Sequence, residues 1–85
     1  MPRRPVVTGQ EAIRALEQVG FVFDRQRGSH VMMRHPGRRR TVTVPVHAGE
    51  TLGPTVLHSI LRQAGLTMEE FTDLVKPDRK RRRRG

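Results

Sequence analysis

The residues best suited to chemistry in this sequence are Gly28-Ser29-His30, a histidine placed directly behind two small residues and among arginines. An imidazole titrates near neutrality, so it can both take and give a proton in water at physiological pH. Glycine at 28 lets the backbone come close to a phosphate, and the Ser29 hydroxyl and amide can hydrogen-bond one. Arg25 and Arg27 precede the triplet and Arg34 follows it. Their guanidinium groups suit a phosphodiester and the charge that develops on it during cleavage. By spacing alone the signal is weak. Gly-Ser-His is a short string, a lone strand histidine is commonly structural, and arginines at a strand also guard an exposed sheet edge against aggregation.

The other histidines have plainer readings. His35 precedes Pro36 at a turn, which it would shape or cap. His47 ends a strand, close to the Gly28 turn or simply in solvent, and is kept as a candidate contact. His58 falls at an exposed phase of a helix. The four spacings match no common metal site and no cysteine assists, so the expected chemistry is metal-free and cofactor-free. Arg38-Arg39-Arg40 sits on a second turn, where Arg38 is a candidate phosphate contact and solvation is the alternative.

These side chains must be carried by a small set of elements. Thr8-Gly9-Gln10-Glu11 fits a capping box, and Ala12, Ile13, Leu16 and Val19 follow at helical spacing up to Gly20, which predicts a helix over 9–19. Phe21 to Arg25 reads as a strand, Arg27-Gly28 as a turn, and His30 to His35 as a second strand. Pro36-Gly37-Arg38 makes the next turn. Thr41 to Val46 alternates, with Val42, Val44 and Val46 on one face, and Pro45 marks an edge or an end. A Gly-containing loop over 47–54 leads to a second helix through Val56, Leu57, Ile60, Leu61 and Ala64, stopped by Gly65. Thr67-Met68-Glu69-Glu70 is another capping box, opening a short helix through Phe71, Leu74 and Val75. The order α-β-β-β-α with a short extra C-terminal helix predicts an α+β fold: a three-stranded antiparallel sheet with helices on one face. Val31, Met32 and Met33 are all apolar, so alternation leaves open whether His30 or Val31 points at the helices.

Composition bounds the rest. The chain has 85 residues, enough for one domain with a thin core and no large cofactor cavity. There is no cysteine, no apolar run long enough to span a bilayer, and no hydrophobic stretch behind Met1-Pro2-Arg3-Arg4. The expectation is a cytoplasmic protein without a membrane association. The formal charge of +9 resides mostly at the ends. Arg3 and Arg4 lie in a basic arm over residues 1–7, and residues 76–85 hold seven basic residues and one acid, expected to be a disordered tail. Within 5–75, eight arginines meet seven acids, yet six of those arginines crowd into residues 25–40. A locally positive face on a balanced body suits phosphates.

The segments Gly20-Phe21-Val22, Arg25-Gln26-Arg27-Gly28-Ser29-His30 and Arg34-His35-Pro36, continued by Thr43-Val44-Pro45-Val46-His47, by Ile60-Leu61-Arg62-Gln63-Ala64-Gly65-Leu66 and by Glu69-Glu70-Phe71, resemble the HicA family of mRNA interferase toxins. The match spans roughly residues 8–74 in family order. The resemblance implies a double-stranded-RNA-binding-like α-β-β-β-α fold, the same order that the patterning predicts. It also implies a metal-independent endoribonuclease of a type II toxin–antitoxin system, one that inhibits translation by cleaving mRNA in a stress response. His30 would be its catalytic histidine. A HicB-like antitoxin would cover the active face, the toxin being monomeric alone and hetero-oligomeric with its antitoxin. The folded domain would span residues 8–75. Many family members carry Gly-Thr-Leu at the start of the second helix where this chain has Thr55-Val56-Leu57, with glycine displaced to Gly53.

The expected site is therefore His30, with Arg25, Arg27, Gly28, Ser29, Arg34, Arg38 and His47 as substrate contacts. Two rivals share the same fold and arginines. A non-catalytic double-stranded-RNA-binding module would function without His30. A protein-interaction subunit would use the basic face only to dock an acidic partner.

Overall fold

The computed structural model describes residues 5–76. Arg3 and Arg4 of the expected arm, and the basic run after Lys76, lie outside the described residues. The elements follow in the order α1 (Gly9–Gln18), β1 (Val22–Arg27), β2 (His30–His35), β3 (Arg40–Pro45), α2 (Pro54–Ala64) and α3 (Met68–Val75). The strands form one antiparallel sheet in the order β1-β2-β3. This is the compact α+β architecture expected from the patterning.

Local chemistry explains the helix ends. At the start of α1 the Glu11 amide donates to the Thr8 hydroxyl (3.2 Å) and the Thr8 amide to the Glu11 carboxylate (2.9 Å). Thr67 and Glu70 repeat the arrangement at α3, at 3.0 and 2.8 Å. Each box satisfies amides that a helix start leaves without partners, and loss of such a cap costs about 1 kcal/mol. α2 starts differently, with Gly53 as a cap that offers no side chain and Pro54 in the first turn. Its other end closes on Gly65 at φ +76, whose amide donates to the Leu61 carbonyl at 2.8 Å. The Arg40 guanidinium donates to the Gln63 carbonyl (3.1 Å), reaching a second open carbonyl of the same helix end.

Pairing decides which face of the sheet is buried. Val31 stands opposite Val44 and Met33 opposite Val42. Antiparallel partners share a face, so the two valines of β3 carry Val31 and Met33 into the core with them. All four are buried, Met33, Val42 and Val44 completely so. His30, Met32 and Arg34 therefore stand on the open face. The alternation left open by Val31-Met32-Met33 is settled by β3, the strand whose own pattern is unambiguous.

Against this layer α1 contributes Leu16, α2 Leu57 and Ile60, and α3 Phe71, each at most 1% exposed. The short α3 is thus part of the core rather than an appendage. It is also tied to α1, where the Gln18 side chain donates to the Leu74 carbonyl at 3.0 Å. At the other end Val7, the last residue of the expected arm, is buried as well, and its carbonyl accepts from the Leu52 amide at 2.8 Å.

The outer edge of β3 is covered by a side chain. Gln63 of α2 accepts from the Thr43 amide (2.9 Å) and donates to the Ser59 hydroxyl (3.0 Å). An edge amide that would otherwise be open to another strand is held inside the molecule.

Candidate active site on the open sheet face

The open face is a short grid. Across β2, His30 lies between Arg27 of β1 and Pro45 of β3, and Met32 lies between Arg25 and Thr43. Arg34 lies between Val22 and Thr41. Cross-strand neighbours on one face stand about 5 Å apart at Cβ, and successive rows roughly 6.6 Å apart along the strand. His30, Arg25, Arg27 and Arg34 are all exposed.

Arg25 and Arg27 reach this face because of an irregularity in β1. Phe21 is 2% exposed and faces the helices, so strict alternation would also send positions 23, 25 and 27 to that side. The register slips between Phe23 and Arg25, leaving Asp24 as an extra residue opposite no partner of its own. A bulge of this kind reverses the parity of everything after it. Arg25 and Arg27 are thereby brought to the side of His30, and the unpaired residue is put to use: the Asp24 carboxylate lies 3.7 Å from the Arg34 guanidinium. Arg25 and Arg27 make no ion pair among the described residues.

The turn that presents His30 has two central residues, Gly28 and Ser29, since Arg27 pairs directly with His30. Gly28 has φ +57 and Ser29 a negative φ, the order found in II′ hairpin turns, which match the twist of the strands they join. A Cβ at Gly28 would meet nothing within 4 Å, so glycine serves the backbone conformation and leaves open space above it. The Ser29 carbonyl accepts from the Val46 amide at 2.7 Å. That bond holds the turn against the end of β3, and His47 follows one residue later, exposed, at the same end of the sheet. The structure thus brings His30, Arg27, Gly28, Ser29 and His47 to one end, with Arg25 a row away.

Arg38 does not join them. It belongs to the turn after His35, five residues along β2 from His30, or roughly 17 Å. There it lines a depression together with Glu70 and Asp73, though it makes no ion pair with either among the described residues. Arg34 occupies the middle ground, on the correct face but shared with Asp24.

His35 has a different occupation. Its Nδ1 accepts from the amides of Gly37 and Arg38, both at 3.1 Å, and therefore carries no proton. The proton is on Nε2, which donates to the Val19 carbonyl at 3.0 Å. The ring meets Phe21 edge-on, with centroids 5.1 Å apart. One imidazole fastens the β2–β3 turn to the end of α1.

Two contributors escaped sequence reasoning. Gln63 holds the edge of β3, and Met32 holds Arg25, whose Nε donates to the Met32 Sδ at 3.3 Å. Their only sequence signals are two polar residues four apart on a helix, Ser59 and Gln63, and an apolar residue in a strand triplet.

Fold and face together define a small α+β protein that presents an exposed histidine, a glycine-serine turn and unpaired guanidinium groups on one side. The model of the family described as HicA toxin of bacterial toxin–antitoxin matches residues 9–66. The chain belongs to that family, and membership implies a cognate antitoxin as partner. The buried Phe71 places the folded unit beyond the matched span. No curated protein matches the chain. Among the described residues no helix is long and apolar enough to cross a membrane, and no three His, Asp or Glu side chains group closely enough to hold a metal ion.

Proposed function

We propose that this chain is an endoribonuclease that cleaves mRNA, with His30 transferring the proton, Arg27 holding the phosphate and Arg25 contacting the adjoining part of the RNA. The observation that carries the proposal is the pairing of exposed His30 with unpaired Arg27 across a tight glycine turn. Such a pair can bind a phosphodiester and exchange a proton beside it without first breaking any internal contact.

In this scheme His30 removes the proton of a ribose 2′-OH. The 2′ oxygen then bonds to the adjacent phosphorus, the bond from phosphorus to the 5′ oxygen breaks, and the leaving oxygen takes a proton from water or from a second group at the same end, such as His47. The products are a 2′,3′-cyclic phosphate and a 5′-OH. Arg27 offsets the negative charge that accumulates on the phosphoryl oxygens. A HicB-like antitoxin would silence the enzyme by covering this face.

Expression of the wild type and of His30→Ala, followed by growth and mRNA integrity, tests the proposal. The wild type is expected to arrest growth and fragment mRNA, and the variant to do neither. Equal toxicity of the variant would remove His30 from the mechanism, and 5′-phosphate ends would overturn the scheme.

A further inference from the structure

The centre of the open face is apolar. Met32 occupies the middle of the grid, half-buried, one row from His30 and on the same side. Its neighbours on this face are Arg25, Thr43, His30 and Arg34, all polar or charged. A sheet face meant only for water is served by residues such as Thr41 and Thr43, its β3 neighbours. A thioether there instead keeps a patch of soft, polarisable surface next to the reacting group.

Arg25 is arranged by that thioether. Its Nε donates to the Met32 Sδ at 3.3 Å, which anchors the guanidinium beside the thioether while Arg25 stays exposed. Asp24, the acid next to it in sequence, is engaged with Arg34 and leaves Arg25 uncompensated. The donating N–H lies in the guanidinium plane, so the sulfur meets the group at its edge rather than over its face, and planar cations and apolar side chains are the surfaces on which unstacked bases rest.

We propose that Met32 and Arg25 form a seat for one nucleobase of the RNA, one nucleotide away from the phosphate at His30, so that the face selects single-stranded RNA over duplex. The inference rests on the RNA-cleaving reading of this site and extends it to what lies beside the phosphate. In a duplex the base faces are covered by stacking, and Met32 would meet only sugar and phosphate, where an apolar atom gains little. In a single strand a base turns onto the sheet, covers Met32 and lies against the Arg25 guanidinium. Contact of this kind is tolerant of sequence, because every base has a face.

The test measures binding of the full chain carrying His30→Ala, which prevents cleavage, to a labelled single-stranded RNA and to a duplex of the same length. Adding Met32→Ala is expected to weaken single-strand binding at least about fivefold, the lower end of what one base contact supplies. Duplex binding should change less than twofold. The dependence of affinity on salt should keep its slope, since no phosphate contact is lost. Met32→Phe, which enlarges the seat, should restore or tighten single-strand binding, and a thermal midpoint for each variant separates lost contact from lost folding. Arg62→Ala, an exposed arginine of α2, serves as the charge control and should leave the preference for single strands unchanged. Equal losses for single strand and duplex, or Met32→Phe behaving like Met32→Ala in a folded protein, would overturn the base seat. If the parent binds both RNAs and the Met32 variants match it, the seat falls while the RNA-cleaving reading stands. If the parent binds neither RNA, that reading falls first.

Discussion

Strand β2 begins and ends with a histidine, and the two are held in opposite ways. His30 is exposed on the open face, its side chain making no hydrogen bond among the described residues. His35 lies at the other end and at the other parity, partly buried, with all its ring hydrogen-bonding capacity committed to Gly37, Arg38 and Val19. Only the uncommitted imidazole can act on a ligand, because the other would have to break three internal contacts to do so. Residue type therefore carries little information about role here. Position along a two-residue repeat carries more, and the hydrogen bonds already made carry most.

The contrast can be broken at its strongest point first. His30→Ala is expected to lower RNA cleavage by about 10²–10⁴-fold while shifting stability by no more than about 0.5 kcal/mol. Cleavage assays and thermal melts on the same preparation would check both halves. A large loss of stability would mean that His30 is structural like its counterpart.

Next come the effects on folding at the opposite end. Gly20 has φ +102, and a Cβ there would lie 2.6 Å from the His35 Nε2. Gly20→Ala should cost about 2–4 kcal/mol from strain and displacement of the ring. His35→Ala should cost about 2 kcal/mol by leaving the turn amides and the Val19 carbonyl without their partner. In a protein of this size 1 kcal/mol corresponds to roughly 4–8 °C in Tm, so both are readable by calorimetry. The two substitutions share one contact, and the double variant should be less destabilised than the sum of the singles. Strict additivity would show that the glycine is required for its backbone angle alone.

The smallest effects sharpen the division along β2. Arg27→Ala, at the His30 end, should reduce cleavage at least about tenfold with little change in Tm, reflecting lost charge-assisted contact to phosphate. Arg38→Ala, at the His35 end beside Glu70 and Asp73, should leave cleavage within about twofold. If Arg38 mattered as much as Arg27, the RNA path would have to run the whole length of the sheet.

Much of this arrangement is legible in the sequence. Both capping boxes, the glycine stop at Gly65, the meander and the turn before His30 are visible in short strings, and the structure has them where the residues suggest. Boundaries moved by a residue or two. Helix α1 ends at Gln18, and β1 starts at Val22 and runs to Arg27, because Phe21 turns into the core before the sheet begins. The site residues were harder to assemble. Arg25, Arg27, Arg34 and Arg38 look alike as a cluster, yet the structure leaves Arg25 and Arg27 unpaired, shares Arg34 with Asp24 and removes Arg38 to the far end. The charge of +9 told little about this face, since most of it belongs to the chain ends.

What the sequence determined alone are features set within a few residues: a hydroxyl that accepts from the amide three positions on, a glycine that takes a positive φ, a valine alternation that has one buried side. What only the tertiary structure decided depends on partners far along the chain. Val42 and Val44 chose the face of β2 by pairing with Met33 and Val31, which placed His30 in solvent. The bulge at Asp24 turned Arg25 and Arg27 to the same side, and Gln63, from a helix 20 residues away, held the edge of the strand that made the choice. Local hydrogen bonds and backbone angles can be read in order along a chain. The side on which an imidazole emerges is a property of the pairing.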